Sequence, residues 1–146
     1  MSRPLRPILL AEDDDLDAEL TLRAFERSRL ANPLKRVGDG LEAMEHLAAC
    51  LRGEAILPAV VLLDIKMPRL DGLATLQAIK TDPKLRHLPV VMLTSSREHG
   101  DLLHSYNQGV NAYIVKPVGQ QALLEAVQAL GLFWGVLNCL PDNESS

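Results

Sequence analysis

Residues 59–63 read Ala-Val-Val-Leu-Leu, and Asp64 follows directly, ahead of Ile65-Lys66-Met67-Pro68. A short apolar run without polar alternation describes a strand covered on both faces, as in a parallel sheet sandwiched between helices. An ionisable carboxylate placed at the end of such a strand is hard to explain by burial alone, because burying a charge without a partner is costly.

Outward from this segment the same pattern recurs. Pro7–Ala11 (PILLA) and Pro89–Leu93 (PVVML) are continuous apolar runs, while Leu34–Val37 (LKRV) and Ala112–Val115 (AYIV) are shorter ones. They begin roughly 25 to 30 residues apart, the length of a strand–helix crossover. Lys35 and Arg36 make the second run the most polar, which places it at a sheet edge. Between the runs lie helix-like stretches. Asp14–Leu30 carries Leu16, Leu20, Ala24 and Phe25 at helical spacing, and Asp39–Leu51 carries Leu41, Met44, Leu47 and Leu51. Asp71–Lys80 opens at Asp-Gly and stops before Asp82-Pro83, as helices do ahead of proline. Glu98–Asn107 ends in Gln108-Gly109, a C-cap signal, and a last helix starts near Gly119. Five strands alternating with five helices predict an α/β fold with a parallel sheet and right-handed crossovers.

Composition agrees. The 146 residues suit one domain, and 47% hydrophobic with 23% charged residues is a globular balance. Aromatic residues make up only 3%, so the core is aliphatic. Fifteen basic against nineteen acidic residues give a net charge of −4, which argues against a nucleic-acid or anionic-membrane surface. Cys50 and Cys139 are too few for a disulfide framework, no signal peptide is evident, and no apolar stretch approaches the ~20 residues that span a bilayer. The expectation is a soluble cytoplasmic protein with one domain over 1–146, its core over about 7–130, and an extension over 131–146.

In open parallel sheets ligands bind beyond the carboxyl ends of the strands. Those ends carry Glu12-Asp13-Asp14-Asp15, Asp64, Thr94-Ser95-Ser96 and Lys116-Pro117. Two carboxylates ~4 Å apart repel by roughly 4 kcal/mol at an effective dielectric near 20, so clustered acids call for a compensating cation. All-oxygen ligation selects Mg2+ or Mn2+ over zinc. A lysine suits a phosphoryl oxygen, a threonine hydroxyl donates to another, and one carboxylate is left as a nucleophile able to form an acyl phosphate. Part of the acidic run has a plainer use, since Asp14 or Asp15 serves as a helix N-cap.

Through Ile8–Asp13 (ILLAED), Val61–Gly72 (VLLDIKMPRLDG), Val90–Ser96 (VVMLTSS) and Ala112–Pro117 (AYIVKP), the chain resembles the receiver domain of two-component response regulators, the CheY-like type, from about Pro7 to Leu130. The resemblance implies a doubly wound, flavodoxin-like five-stranded sheet of order 2-1-3-4-5. It also implies phosphoryl acceptance on Asp64 from a sensor histidine kinase, with Mg2+ held by Glu12, Asp13, Asp64 and the backbone carbonyl of Lys66. Thr94 would be the switch hydroxyl, Lys116 its cationic partner and Tyr113 the aromatic switch residue, with a cis peptide at Lys116–Pro117. Two features depart from the common pattern. The acidic pair is Glu-Asp rather than Asp-Asp, and Lys66 places a charge two residues past Asp64. No output enzyme is expected to follow, so signalling would run through protein contacts. An aspartyl-phosphate phosphohydrolase would carry a second acid where Lys66 stands, and a pseudo-receiver would lack an acid or the lysine.

His46 and Cys50 form the only His/Cys pair at helical spacing, and two soft ligands do not make a zinc site. Residues 123, 127, 130, 134 and 137 form one apolar stripe, and 122, 126, 129, 133, 136 and 140 a second beside it. The sheet needs one stripe only. The surplus, with Phe133 and Trp134, predicts either a fold-back onto the core or a homodimer surface. This tail resembles that of stand-alone receivers paired with phytochrome-type histidine kinases.

Overall fold

The computed structural model describes residues 5–28, 31–95 and 112–129. Along the chain run β1 (Ile8–Ala11), α1 (Asp15–Arg27), β2 (Leu34–Val37), α2 (Gly40–Leu51), β3 (Val60–Asp64), α3 (Gly72–Thr81), β4 (Val90–Thr94), β5 (Ala112–Val115) and α4 (Gln120–Ala129). The strands form one sheet in the order β2-β1-β3-β4-β5, and every neighbouring pair is parallel. This is the expected order, with the polar LKRV run at an edge. The helix expected over Glu98–Asn107 lies outside the described residues, as do Phe133, Trp134 and the rest of the 131–146 extension.

Every residue of β1, β3 and β4 is buried. Alternation along these strands divides the core into two layers. Ile8, Leu10, Val60, Leu62, Val91 and Leu93 pack with Ala18, Ala24 and Phe25 of α1 and Leu123 and Ala126 of α4. Leu9, Ala11, Val61, Leu63, Val90 and Met92 pack with Ala43 and Leu47 of α2 and Leu76 and Ile79 of α3. Each fully buried leucine contributes roughly 1.5–3 kcal/mol.

Two helix faces differ from the expected ones. In α1 the buried set is Ala18, Thr21, Ala24 and Phe25, whereas Leu16 is 64% exposed. In α2 the buried set is Gly40, Ala43, Leu47 and Cys50, and Leu41 and Leu51 stand exposed. Small residues face the sheet where the helices pack closely, so the largest apolar residues do not mark the inner stripe.

Three aspartates begin the first three helices. The side chains of Asp14, Asp39 and Asp71 accept the backbone N–H of Asp17, Glu42 and Ala74 at 2.9, 2.9 and 2.8 Å. Each satisfies a donor that has no partner within its helix. Strand register then brings the functional ends together. Ala11 pairs with Leu63, Asp64 with Leu93 and Thr94 with Val115, so Glu12, Asp64, Thr94 and Lys116 emerge along one rim.

Candidate functional site

The four acids after β1 divide their work. Glu12 is fully buried, Asp13 is exposed at the rim, Asp14 caps α1, and Asp15 pairs with Arg36 at 2.9 Å. Asp64 closes β3 and Thr94 closes β4, both buried. One oxygen from each of Glu12, Asp13 and Asp64 lies within 4.8 Å of the others, and this is the group of three potential metal ligands among the described residues.

Lys116, one residue beyond β5, reaches into this cluster. Its Nζ donates to Glu12 Oε1 at 3.1 Å and to Asp17 Oδ2 at 2.8 Å, and lies 3.1 Å from Asp64 Oδ1. The Lys116–Pro117 peptide is cis, as the resemblance implied. Burial opposes the ammonium charge. Hydrogen bonds to Asp17 and Glu12 and the charges of Glu12 and Asp64 outweigh it and hold the amine above the ordinary lysine range.

Glu12 shows the opposite balance. Burial, then the Asp64 charge and a carboxyl–carboxyl hydrogen bond with Asp64, push its carboxyl up to about 7, against the pull of Lys116. Four carboxyl groups gather here and three of them contact the Lys116 ammonium, so the site is short of positive charge. Its all-oxygen donors are of the type that Mg2+ or Mn2+ takes, and a divalent cation would restore the balance.

Two clefts open at this rim, the smaller of them over Asp64. One of about 140 Å³ is lined by Asp17, Asp64, Ile65, Lys66, Thr94, Ser95 and Lys116. The other, about 560 Å³, runs past Asp13, Lys66, Met67, Pro68 and Asp71. Lys66 is exposed and lines both. Tyr113 lies on β5, half-buried against the second core layer. The structure therefore gathers Glu12, Asp13, Asp64, Thr94, Lys66 and Lys116 at one rim.

The response regulator receiver domain family matches residues 8–128. The chain belongs to this family. Receivers of this family act in two-component phosphorelay signalling, and that is this chain's function class. Response regulator Rcp1 of Synechocystis sp. is 36% identical over 136 residues, covering 91% of each chain. Among solved structures, the bacteriophytochrome response regulator AtBRR superposes with a TM-score of 0.84 at 51% identity, over 93% of this chain and 99% of that one. The Mn2+-bound form of Rcp1 superposes with a TM-score of 0.70 at 33% identity, over 92% of this chain and 99% of that one.

Sequence reasoning missed Asp17. It stands one helical turn beyond Asp13, so its spacing from the acidic run was the available signal. The His46–Cys50 pair is a structural contact. Sγ lies 3.7 Å from Nε2 and donates to the Ile56 carbonyl at 3.4 Å, and burial pushes the thiol up, away from reactivity. No helix among the described residues is long and apolar enough to cross a membrane.

Proposed function

We propose that this receiver takes a phosphoryl group onto Asp64 from the phosphohistidine of a sensor histidine kinase. The observation that carries the reading is the Asp64 carboxylate at the floor of a cleft, with the Lys116 ammonium 3.1 Å away and Glu12 and Asp13 beside it. An Asp64 oxygen attacks phosphorus, the new O–P bond forms as the P–N bond breaks, and the imidazole, protonated on its other ring nitrogen, leaves as the neutral base. Lys116 and Thr94 both line the cleft, and the ammonium and hydroxyl would meet the phosphoryl oxygens. Glu12, Asp13, Asp64 and the Lys66 carbonyl would hold Mg2+ or Mn2+, which when bound neutralises charge on the phosphoryl oxygens.

Tyr113 is read as the aromatic partner of the Thr94 switch. A phytochrome-type kinase is the favoured donor, supported by the 51% identity to a bacteriophytochrome response regulator. The proposed setting is the cytoplasm, with the receiver core over about 7–130 and output through protein contacts. A phosphohydrolase reading is disfavoured because Lys66 occupies the place of its second acid.

Intact mass spectrometry after incubation with acetyl phosphate and Mg2+ tests the assignment. The wild type gains one phosphoryl group, and Asp64→Asn and chelated wild type gain none. Equal incorporation in Asp64→Asn overturns it.

A further inference from the structure

We propose that Arg69 is a positioning residue for the divalent cation, clamping a strained turn that fixes the backbone carbonyl of Lys66. This rests on the reading of Glu12, Asp13, Asp64 and that carbonyl as the cation's ligands. The loop after β3 is pinned at both ends. Ile65 donates its N–H to the Leu93 carbonyl at 3.1 Å and accepts the Gly72 N–H at 2.9 Å, and the Leu70 carbonyl accepts the Gly40 N–H at 3.1 Å. Between these points the Leu70 N–H bonds the Pro68 carbonyl at 2.7 Å across Arg69, whose φ is 64°. A hydrogen bond closed across one residue at positive φ makes a tight turn of the rare, strained kind, and a residue with a Cβ pays for that angle.

Such strain persists only where the surroundings over-determine it. Here the Arg69 side chain supplies the constraint. Its Nε donates to Asp39 Oδ2 at 2.7 Å, and a second guanidinium nitrogen lies 3.5 Å from Glu42 Oε2. The anchor is itself fixed, because the Asp39 side chain is only 7% exposed and its Oδ1 caps α2. With the pair gone, residue 69 can return to negative φ, giving up the Leu70–Pro68 bond and shifting the stretch from Lys66 to Pro68. Met67, buried in the second core layer, limits that shift. A small displacement is enough, however, because Mg2+ demands near-ideal octahedral geometry at about 2.0–2.1 Å.

The test is the Mg2+ dissociation constant, read from amide spectra along a metal titration below the melting temperature of every variant. Arg69→Ala should bind Mg2+ about five-fold more weakly than wild type. That is the lower end of the penalty on a left-handed angle in a residue with a Cβ, taken as lost population of the binding loop. Arg69→Gly also loses the ion pair but accepts the angle, and should stay within about two-fold of wild type. Arg69→Ala binding as tightly as wild type would mean that the turn does not reach the carbonyl. Equal weakening in both variants would mean that the side chain acts without the turn. Either result overturns the proposal. Should Arg69→Ala not fold, Asp39→Asn takes its place, keeping one oxygen for the α2 cap. It should weaken Mg2+ binding, and adding Arg69→Gly should restore it; no weakening, or no restoration, overturns the clamp. Mg2+ binding that is absent in wild type, or unchanged in Asp13→Asn, would instead overturn the metal reading, and the clamp with it.

Discussion

Arg69 sits in the left-handed region at φ 64°, and its Nε donates to Asp39 Oδ2 at 2.7 Å. The contact ties the loop after β3, which carries Lys66, to the residue that caps α2. The neighbouring Gly40 N–H bonds the Leu70 carbonyl at 3.1 Å and extends the same tie. Arg69→Ala keeps the unfavourable backbone angle and loses the ion pair, whereas Arg69→Gly loses the pair but relieves the angle. Arg69→Gly should therefore melt above Arg69→Ala by about 4 °C, with the wild type highest. Equal melting temperatures for the two variants would show that the angle carries no strain.

Gly72 approaches the end of β3, where Asp64 stands, too closely for a side chain. A Cβ there would lie 2.3 Å from the Asp64 carbonyl oxygen and 2.8 Å from the Ile65 Cα, both backbone atoms with little freedom to move. Gly72→Ala should destabilise by about 1–3 kcal/mol and also reduce acetyl-phosphate labelling of Asp64. Urea unfolding and labelling rate measured on the same sample check both effects.

Glu12 makes the stability of the metal-free protein depend on pH. Its carboxyl is pushed up from 4.5 to about 7 by burial and by Asp64. Between those values the folded state binds more protons than the unfolded chain, so stability falls as pH rises through that window and the loss is complete above about 7. Glu12→Gln should flatten this slope in denaturant midpoints taken from pH 5 to 8. Mg2+ should offset the loss above pH 7, because ionised Glu12 then has a partner. A wild-type midpoint that rises from pH 5 to 7 without metal would contradict the Glu12 environment.

The surplus apolar stripe of the final segment motivates a homodimer through the last helix and the Phe133–Leu140 stretch. Trp134, the largest apolar side chain there, should dominate the contact, and Trp134→Ala should cost several kcal/mol of association while leaving Asp64 labelling intact. Light scattering at micromolar concentrations checks this. A wild-type mass near 16 kDa throughout would instead favour the fold-back.

The strands, their parallel arrangement, the helix starts at Asp39 and Asp71 and the acidic rim were legible in the sequence. Continuous apolar runs that alternate with helices have one stable reading, a covered parallel sheet, and residues that end such runs share one side of the sheet whatever the helices do. The inner helix faces were legible only in part: Ala24, Phe25 and Leu47 face inward as expected, but Ala18 and Ala43 mark the rest while the larger Leu16 and Leu41 point outward. Hydrophobicity ranks side chains by size, but close packing against a sheet selects small ones. Nor could the sequence divide the acids after β1, or bring in Asp17 from α1. Only the tertiary structure decided that Lys116 stands among three carboxylates, since those contacts join residues about fifty to a hundred positions apart and depend on the angle at which α1 crosses the sheet.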